Sequence, residues 1–228
     1  VTFAAFFDDA ALFPPGNAPM HRAVAEHVRR RGHSDRRYAG PFICPADDLT
    51  ALIAALDGQE IELSLRGLPT GPVPDHVTLV AVEVDDVTER PDLPDHVAVF
   101  TERPWGGSYT VPPGTILKLR CGGAYVPSVD ELADAITHCV HHQQRFKLTA
   151  GLHHALRSDE GHGFVNIMAA VVAAQDGKDP APVLAASDVS AIGIDTDRLS
   201  RSRDLFLSIG TCSIDEPLAD LRHLGLIS

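Results

Sequence analysis

No apolar run in this sequence approaches the roughly 18 residues needed to cross a bilayer, and no basic stretch near its start leads into an apolar one. Neither a membrane span nor an export signal is therefore expected. The four cysteines, Cys44, Cys121, Cys139 and Cys212, are widely spaced and form no C-x-x-C pair, which argues against a redox dithiol or a zinc knuckle and for free thiols in the cytoplasm. Positive charge is scarce: 19 basic residues face 31 acidic ones, a formal charge of −12. That balance repels a phosphate backbone, and no stripe of Lys and Arg interleaved with aromatics offsets it, so nucleic acid is not an expected partner. The one basic cluster, Arg29, Arg30, Arg31, Arg36 and Arg37, closes a helical stretch, where cations suit the helix C-terminus and solvent. A glycine-rich phosphate turn is also missing after the first apolar run, which continues Asp8-Asp9-Ala10-Ala11.

What is present is an alternation of short apolar runs and helical patterns with no repeat of the solenoid or propeller kind. At 228 residues, 44% hydrophobic and 22% charged, one domain can bury a full core without metals or disulfides. Eight runs read as strands: Thr2 to Phe7, Gly40 to Cys44, Ile61 to Leu65, Val77 to Val84, Val97 to Thr101, Thr115 to Arg120, Arg145 to Thr149 and Leu205 to Ile209. Ser128 and Glu131 form a capping box ahead of Leu132, Ile136, Cys139 and Val140, which share a face, so a helix is predicted over Ser128 to His142. Met20 to Arg31, Leu49 to Leu56, Gly163 to Ala174 and Glu216 to Leu224 read as further helices, the first preceded by the turn Pro14-Pro15-Gly16-Asn17. Alternating strands and helices imply parallel pairing. The missing phosphate turn favours a single (β/α)8 TIM-type barrel over an open doubly wound sheet. Gly and Pro in Leu65 to Pro74, and breakers in Gly177 to Asp188, predict irregular crossovers.

The strand period carries the chemical expectation. Alternate residues share a face, so Ile116, Lys118 and Arg120 lie together, as do Lys147 and Thr149, with Leu117, Leu119, Phe146 and Leu148 opposite. In a barrel the apolar face meets the helices, so both lysines point into the lumen near the strand ends, where active sites of this fold sit. Two nearby ammonium groups in a water-poor site disfavour each other's charge, and a neutral amine can attack a carbonyl. The plain alternative is that each lysine pairs with a carboxylate such as Glu83 or Glu102 in an inert salt bridge.

Four blocks resemble the class I deoxyribose-phosphate aldolases and their barrel relatives: Phe7-Asp8-Asp9-Ala10-Ala11-Leu12-Phe13-Pro14, Lys118-Leu119-Arg120-Cys121-Gly122, Lys147-Leu148-Thr149-Ala150-Gly151 and Ile209-Gly210-Thr211-Cys212-Ser213. The resemblance touches about 35 residues of the chain. It implies Lys118 as the imine-forming nucleophile, Lys147 as the cation that lowers its pKa and Asp8 as a relay carboxylate. It further implies that Gly210 and Ser213 offer N–H and hydroxyl groups to an anion, with Gly151 and Cys212 in the same rim. The chain departs from the family at the fourth-strand aspartate, where Thr78 stands and Glu83 comes later. It departs again after the seventh strand, which runs Gly151-Leu152-His153-His154-Ala155-Leu156-Arg157 in place of the family's phosphate-seating residues.

His153 and His154 are acid/base candidates, clustered in sequence with His162; neighbouring strand residues face apart, so both reach one ion only where the strand has already broken. Gly161-His162-Gly163 suggests a helix start whose N–H groups, with Asn166, suit an anion, and Glu102 opens a glycine-rich lip that carries Trp105. The expected activity is a metal- and cofactor-independent lyase of the aldolase type, forming a Schiff base with a small carbonyl compound, phosphorylated or carboxylated variants included. Its rivals are an isomerase or cyclase built on metal or on His153, His154, Asp8, Glu83 and Glu102, and a non-catalytic barrel binding a small anion. A homodimer is the one assembly this reading admits, with no interface marked in the sequence.

Overall fold

A computed structural model describes residues 2–193 and 195–228. Eight parallel strands close into a barrel in chain order: β1 (Phe7–Asp9), β2 (Ala39–Pro45), β3 (Ile61–Arg66), β4 (Val77–Asp85), β5 (Ala98–Glu102), β6 (Ile116–Arg120), β7 (Phe146–Thr149) and β8 (Phe206–Thr211), with β1 pairing β8. The expected (β/α)8 architecture is thus the observed one.

Seven of the eight strands fall where the apolar runs predict, within two residues at either end. The first does not. Thr2 to Phe7 was expected as strand, but residues 2–5 form turns, Ala5 takes a φ of 46°, and the ladder begins only at Phe7. The run is apolar because Phe3 and Phe6 fill the outer core, where Phe6 meets Phe7 and Phe206 edge to face. Burial by packing and burial by strand pairing leave the same mark on composition.

The five predicted helices are α1 (Met20–Arg30), α2 (Leu49–Leu56), α3 (Val129–His141), α4 (Phe164–Gln175) and, last in the chain, Asp215–His223. Both halves of the Ser128/Glu131 capping box form, fixing the start of α3. Three short helices between α4 and β8 were not foreseen: α5 (Ala181–Ala185), α6 (Val189–Ile192) and α7 (Thr196–Ser200), which makes the terminal helix α8. They account for α4, whose residues 164–173 are all buried: Leu184, Ile192 and Leu199 cover the side that a barrel helix normally gives to water.

Helices are missing where Gly and Pro accumulate. The connections 67–76, 86–97 and 103–115 contain none, so the outer faces of β4 and β5 are covered by extended chain. Val82, Val84, Val97 and Val99 form a small separate cluster there, with Val87 and Leu93 laid over it. Arg90 organises that cover, its guanidinium donating to the carbonyls of Pro91, Leu93, Pro94 and Val97. No helix among the described residues is long and apolar enough to cross a membrane.

Candidate active site

Lys118 and Lys147 stand opposite one another in the β6–β7 register and both point into the lumen, as the alternation predicts. Their side chains are 3% and 0% exposed. Between them stands Glu83 of β4. Lys118 Nζ lies 2.6 Å from Glu83 Oε2 and 2.8 Å from Glu102 Oε2, while Lys147 Nζ contacts Glu83 Oε1 and lies 2.6 Å from Asp8 Oδ2. Ser64 donates to Glu83 and Ser208 to Asp8, at 3.2 and 2.8 Å. Glu102, Lys118, Glu83, Lys147 and Asp8 therefore form one alternating chain of charges across the lumen. Glu83 is the carboxylate that β4 brings into the lumen, later in the strand than Thr78.

Burial raises the pKa of Glu83, but Lys147 and Lys118 together outweigh it and hold the carboxyl well below its ordinary range. Asp8 goes the other way: burial outweighs the contact with Lys147, and the neighbouring charge of Glu83 adds to the rise. Burial works against the charge of Lys147, yet Asp8 and Glu83 prevail and hold it above its ordinary value. The pairing with Glu83 and Glu102 that the sequence offers as the plain alternative is formed, and Lys147, the expected cation of the two, is held charged. Glu83 sits where their repulsion would act, and Lys147 is a firm cation.

The backbone makes room for this chain. Register slips between Phe7 and Asp9 on the β1–β2 pair, a bulge beside Pro41, and Gly40 faces the Asp8 carboxylate so closely that a Cβ there would stand 2.1 Å from Oδ1. At the other end of the strands, a Cβ on Gly122 would stand 2.7 Å from the Gly151 backbone, so the turns after β6 and β7 touch. Ala150 and Gly151 follow with φ of 61° and 66°, which breaks the strand and sends successive side chains apart.

Above Lys118 lies a cavity of about 70 Å³ at the C-terminal end of the barrel. Glu83, Lys118, Arg120, Thr149, Gly151, His153, Gly210 and Cys212 line it, all of them predicted site residues. Arg66 lines it too and was missed: it continues the Glu62, Ser64 face of β3, but the predicted strand stops one residue short. Larger hollows exist, including one of about 620 Å³ ringed by Arg30, Arg31, Arg36 and Arg37, but neither buried lysine lines it.

Three predicted residues lie elsewhere. His154 turns outward, its two ring nitrogens each 3.2 Å from Asp220 and Glu160, so it lines a hollow beside α8 and not the lysine cavity. Asn166 is fully used in holding structure: it accepts from the Arg157 N–H and donates to the carbonyls of Val183 and Ala186. Ser213 accepts from the Glu216 N–H at the start of α8. His162 is also withdrawn, donating to Pro127 O from Nε2 and accepting from Arg157 at Nδ1. Only His153 reaches the mouth, with Nδ1 3.8 Å from Cys212 Sγ and 3.3 Å from Glu216. Trp105 donates to the Arg120 carbonyl, which ties the predicted lip to the end of β6. Among the described residues, no three His, Cys, Asp or Glu side chains are grouped to hold a metal ion. Compared with known proteins, the chain matches no family model and no curated sequence, so its own residues carry the functional reading.

Proposed function

We propose that this barrel is a Schiff-base-forming lyase that makes or breaks a carbon–carbon bond in a small carbonyl compound, with Lys118 as the nucleophile. The observation that carries the reading is the position of Lys118 Nζ: buried, facing the cavity, and in contact with two carboxylates, one of which, Glu102, is 15% exposed and able to exchange protons with solvent. An incoming carbonyl meets the ammonium group, Glu102 takes its proton, and the free amine adds to the carbonyl carbon. The hydroxyl so formed leaves as water with the proton returned by Glu102, giving a protonated imine. His153 then takes the proton of the hydroxyl on the β carbon, and the bond between the α and β carbons breaks. Its electron pair flows toward the imine nitrogen to give an enamine, and the second fragment departs as a carbonyl compound. Protonation of the enamine and addition of water return the amine. His153 and Thr149 are placed to serve the substrate oxygens, and Lys147 keeps Glu83 ionised beneath.

Borohydride reduction in the presence of a panel of aldehydes and ketones tests this reading. The expected result is a stable mass adduct on the peptide containing Lys118, lost in both Lys118→Met and Lys118→Arg. Absence of any adduct from the folded wild-type protein overturns it. The salt bridges to Lys118 favour a second reading, a barrel that binds a small anion without chemistry. Under that reading binding survives Lys118→Arg, whereas imine formation does not.

A further inference from the structure

The cavity wall is strongly cationic in a chain that is not. Arg66, Lys118 and Arg120 oppose the single carboxylate of Glu83 among the lining side chains, whereas the whole chain carries −12. Lys118 and Glu83 answer each other, which leaves the two guanidinium groups.

Arg120 ends β6, is exposed, and reaches over the turn so that a terminal nitrogen would lie 3.8 Å from a Cβ on Gly123. Its backbone is held by Trp105, while its guanidinium takes part in no salt bridge with a described residue. Arg66 is braced from behind. One nitrogen lies 2.5 Å from Asp85, whose side chain is 74% exposed, and the other donates to the Glu83 carbonyl at 3.4 Å; Glu102 lies 3.8 Å away. An exposed partner such as Asp85 contributes little against solvent and salt, so it orients Arg66 without saturating it. A planar guanidinium at the edge of a small cavity is shaped to donate to two oxygens of a carboxylate or phosphate.

We propose that the substrate of the Lys118 site is an anionic carbonyl compound, its carboxylate or phosphate held at the cavity mouth by Arg66 and Arg120. This rests on the lyase reading for the carbonyl, and on the two arginines for the charge. Both arginines border the same cavity as Lys118, so the anionic group and the reacting carbonyl belong to one small molecule.

Two measurements separate the parts. In the first, rates of borohydride trapping are compared for matched pairs: pyruvate against acetone, and glyceraldehyde 3-phosphate against glyceraldehyde. The proposal expects wild-type protein to prefer one charged member at least about tenfold, the least expected from one lost hydrogen bond to a charged group, and Arg66→Gln and Arg120→Gln to erase that preference, the charged member losing at least about tenfold more than the neutral one. Preference for pyruvate identifies a carboxylate, and preference for the phosphorylated aldehyde a phosphate. Equal rates for charged and neutral members, or equal losses for both in the arginine variants, overturn the anion clamp and leave the imine intact. In the second, lactate and glycerol 3-phosphate, which have no carbonyl, are titrated calorimetrically into wild type and both variants. Salt-sensitive binding lost in the variants supports the clamp even where no compound is trapped, an outcome that removes the lyase reading alone. No binding of either anion, with no preference in trapping, removes the clamp.

Discussion

Lys118 and Lys147 occupy matched positions on adjacent strands, yet their surroundings differ in kind. Lys147 is sealed: both of its carboxylates are buried, and the Phe100 ring lies 5.0 Å from its nitrogen. Lys118 shares Glu83 with it, but its second partner is the partly exposed Glu102, and open space lies above. One lysine completes a structure, whereas the other is set in that structure at the edge of a cavity. The same residue type in the same register is sealed in one case and left at an open edge in the other, according to whether its last partner can reach water.

The largest expected effect tests that contrast directly. Lys147→Met leaves Asp8 and Glu83 facing one another without their shared cation, and breaking a buried pair in this way costs about 3–5 kcal/mol. Lys118→Met leaves Glu83 paired to Lys147 and lets Glu102 turn to solvent, so less than half that loss is expected. Urea unfolding of the two variants measures both. Equal losses would mean that the two lysines are equivalent struts, and the contrast would be gone.

A smaller loss is expected from Gly40→Ala, whose new methyl group would press on the Asp8 carboxylate that Lys147 and Ser208 hold in place. Overpacking of this kind costs about 1–3 kcal/mol. Because the damage falls on the sealed side, borohydride trapping at Lys118 should survive in whatever fraction remains folded. Trapping lost in folded Gly40→Ala protein would show that Asp8 acts on the open side as well.

The sealed charges also set a pH profile. Glu83 is held below its ordinary value of 4.5, so its contribution to stability is complete above that value and is lost as pH falls. Lys147 is held above its ordinary 10.5, so its contribution is complete below that value and is lost as pH rises through the raised one. Asp8, raised above 3.8, acts against Glu83: its contribution is present in acid and is lost as pH rises through its folded value. The urea midpoint should therefore peak between roughly pH 5 and 10 and fall on both sides. Lys147→Met should flatten the acid side, since Glu83 then keeps only one of its two cations. An acid side as steep as in the wild type would show that other carboxylates control it.

Much of this was legible in the sequence because period is a strong signal. Leu117, Leu119, Phe146 and Leu148 alternate with Lys118, Arg120, Lys147 and Thr149, and that pattern alone puts both lysines in the lumen. Seven strands and five helices followed from the same reasoning. What failed depended on partners distant in sequence. Glu83 lies 64 residues from Lys147, and although it could be named as a partner for one lysine, nothing local says that it stands between the two and contacts both. Asn166 looked free for a ligand because the carbonyls of Val183 and Ala186 that occupy it belong to a layer with no strong period of its own. His153 and His154 could be separated only once the left-handed turn at Ala150 and Gly151 was seen, and Ala150 gives no warning of one.

The rim beside the open lysine is held far more loosely than the lumen, and this gives the smallest effect. His154 joins the segment after β7 to α8 through Asp220, which also accepts from the Ala155 N–H at 2.9 Å. Burial alone would lower the pKa of His154, but Asp220 and Glu160 outweigh it and raise it above 6.5. Its contribution is therefore complete below that value and is lost as pH rises through the raised one. Because the imidazole is 44% exposed and both partners are solvated, the contribution is well under ~1 kcal/mol. Hydrogen exchange at Ala155, corrected for intrinsic rates, should show a protection factor that declines by at most a few-fold as pH rises above 6.5 and then converges on that of His154→Gln. A protection factor independent of pH, or one as low as the variant's below pH 6.5, would place the hold on this rim with the backbone and not with the His154 side chain.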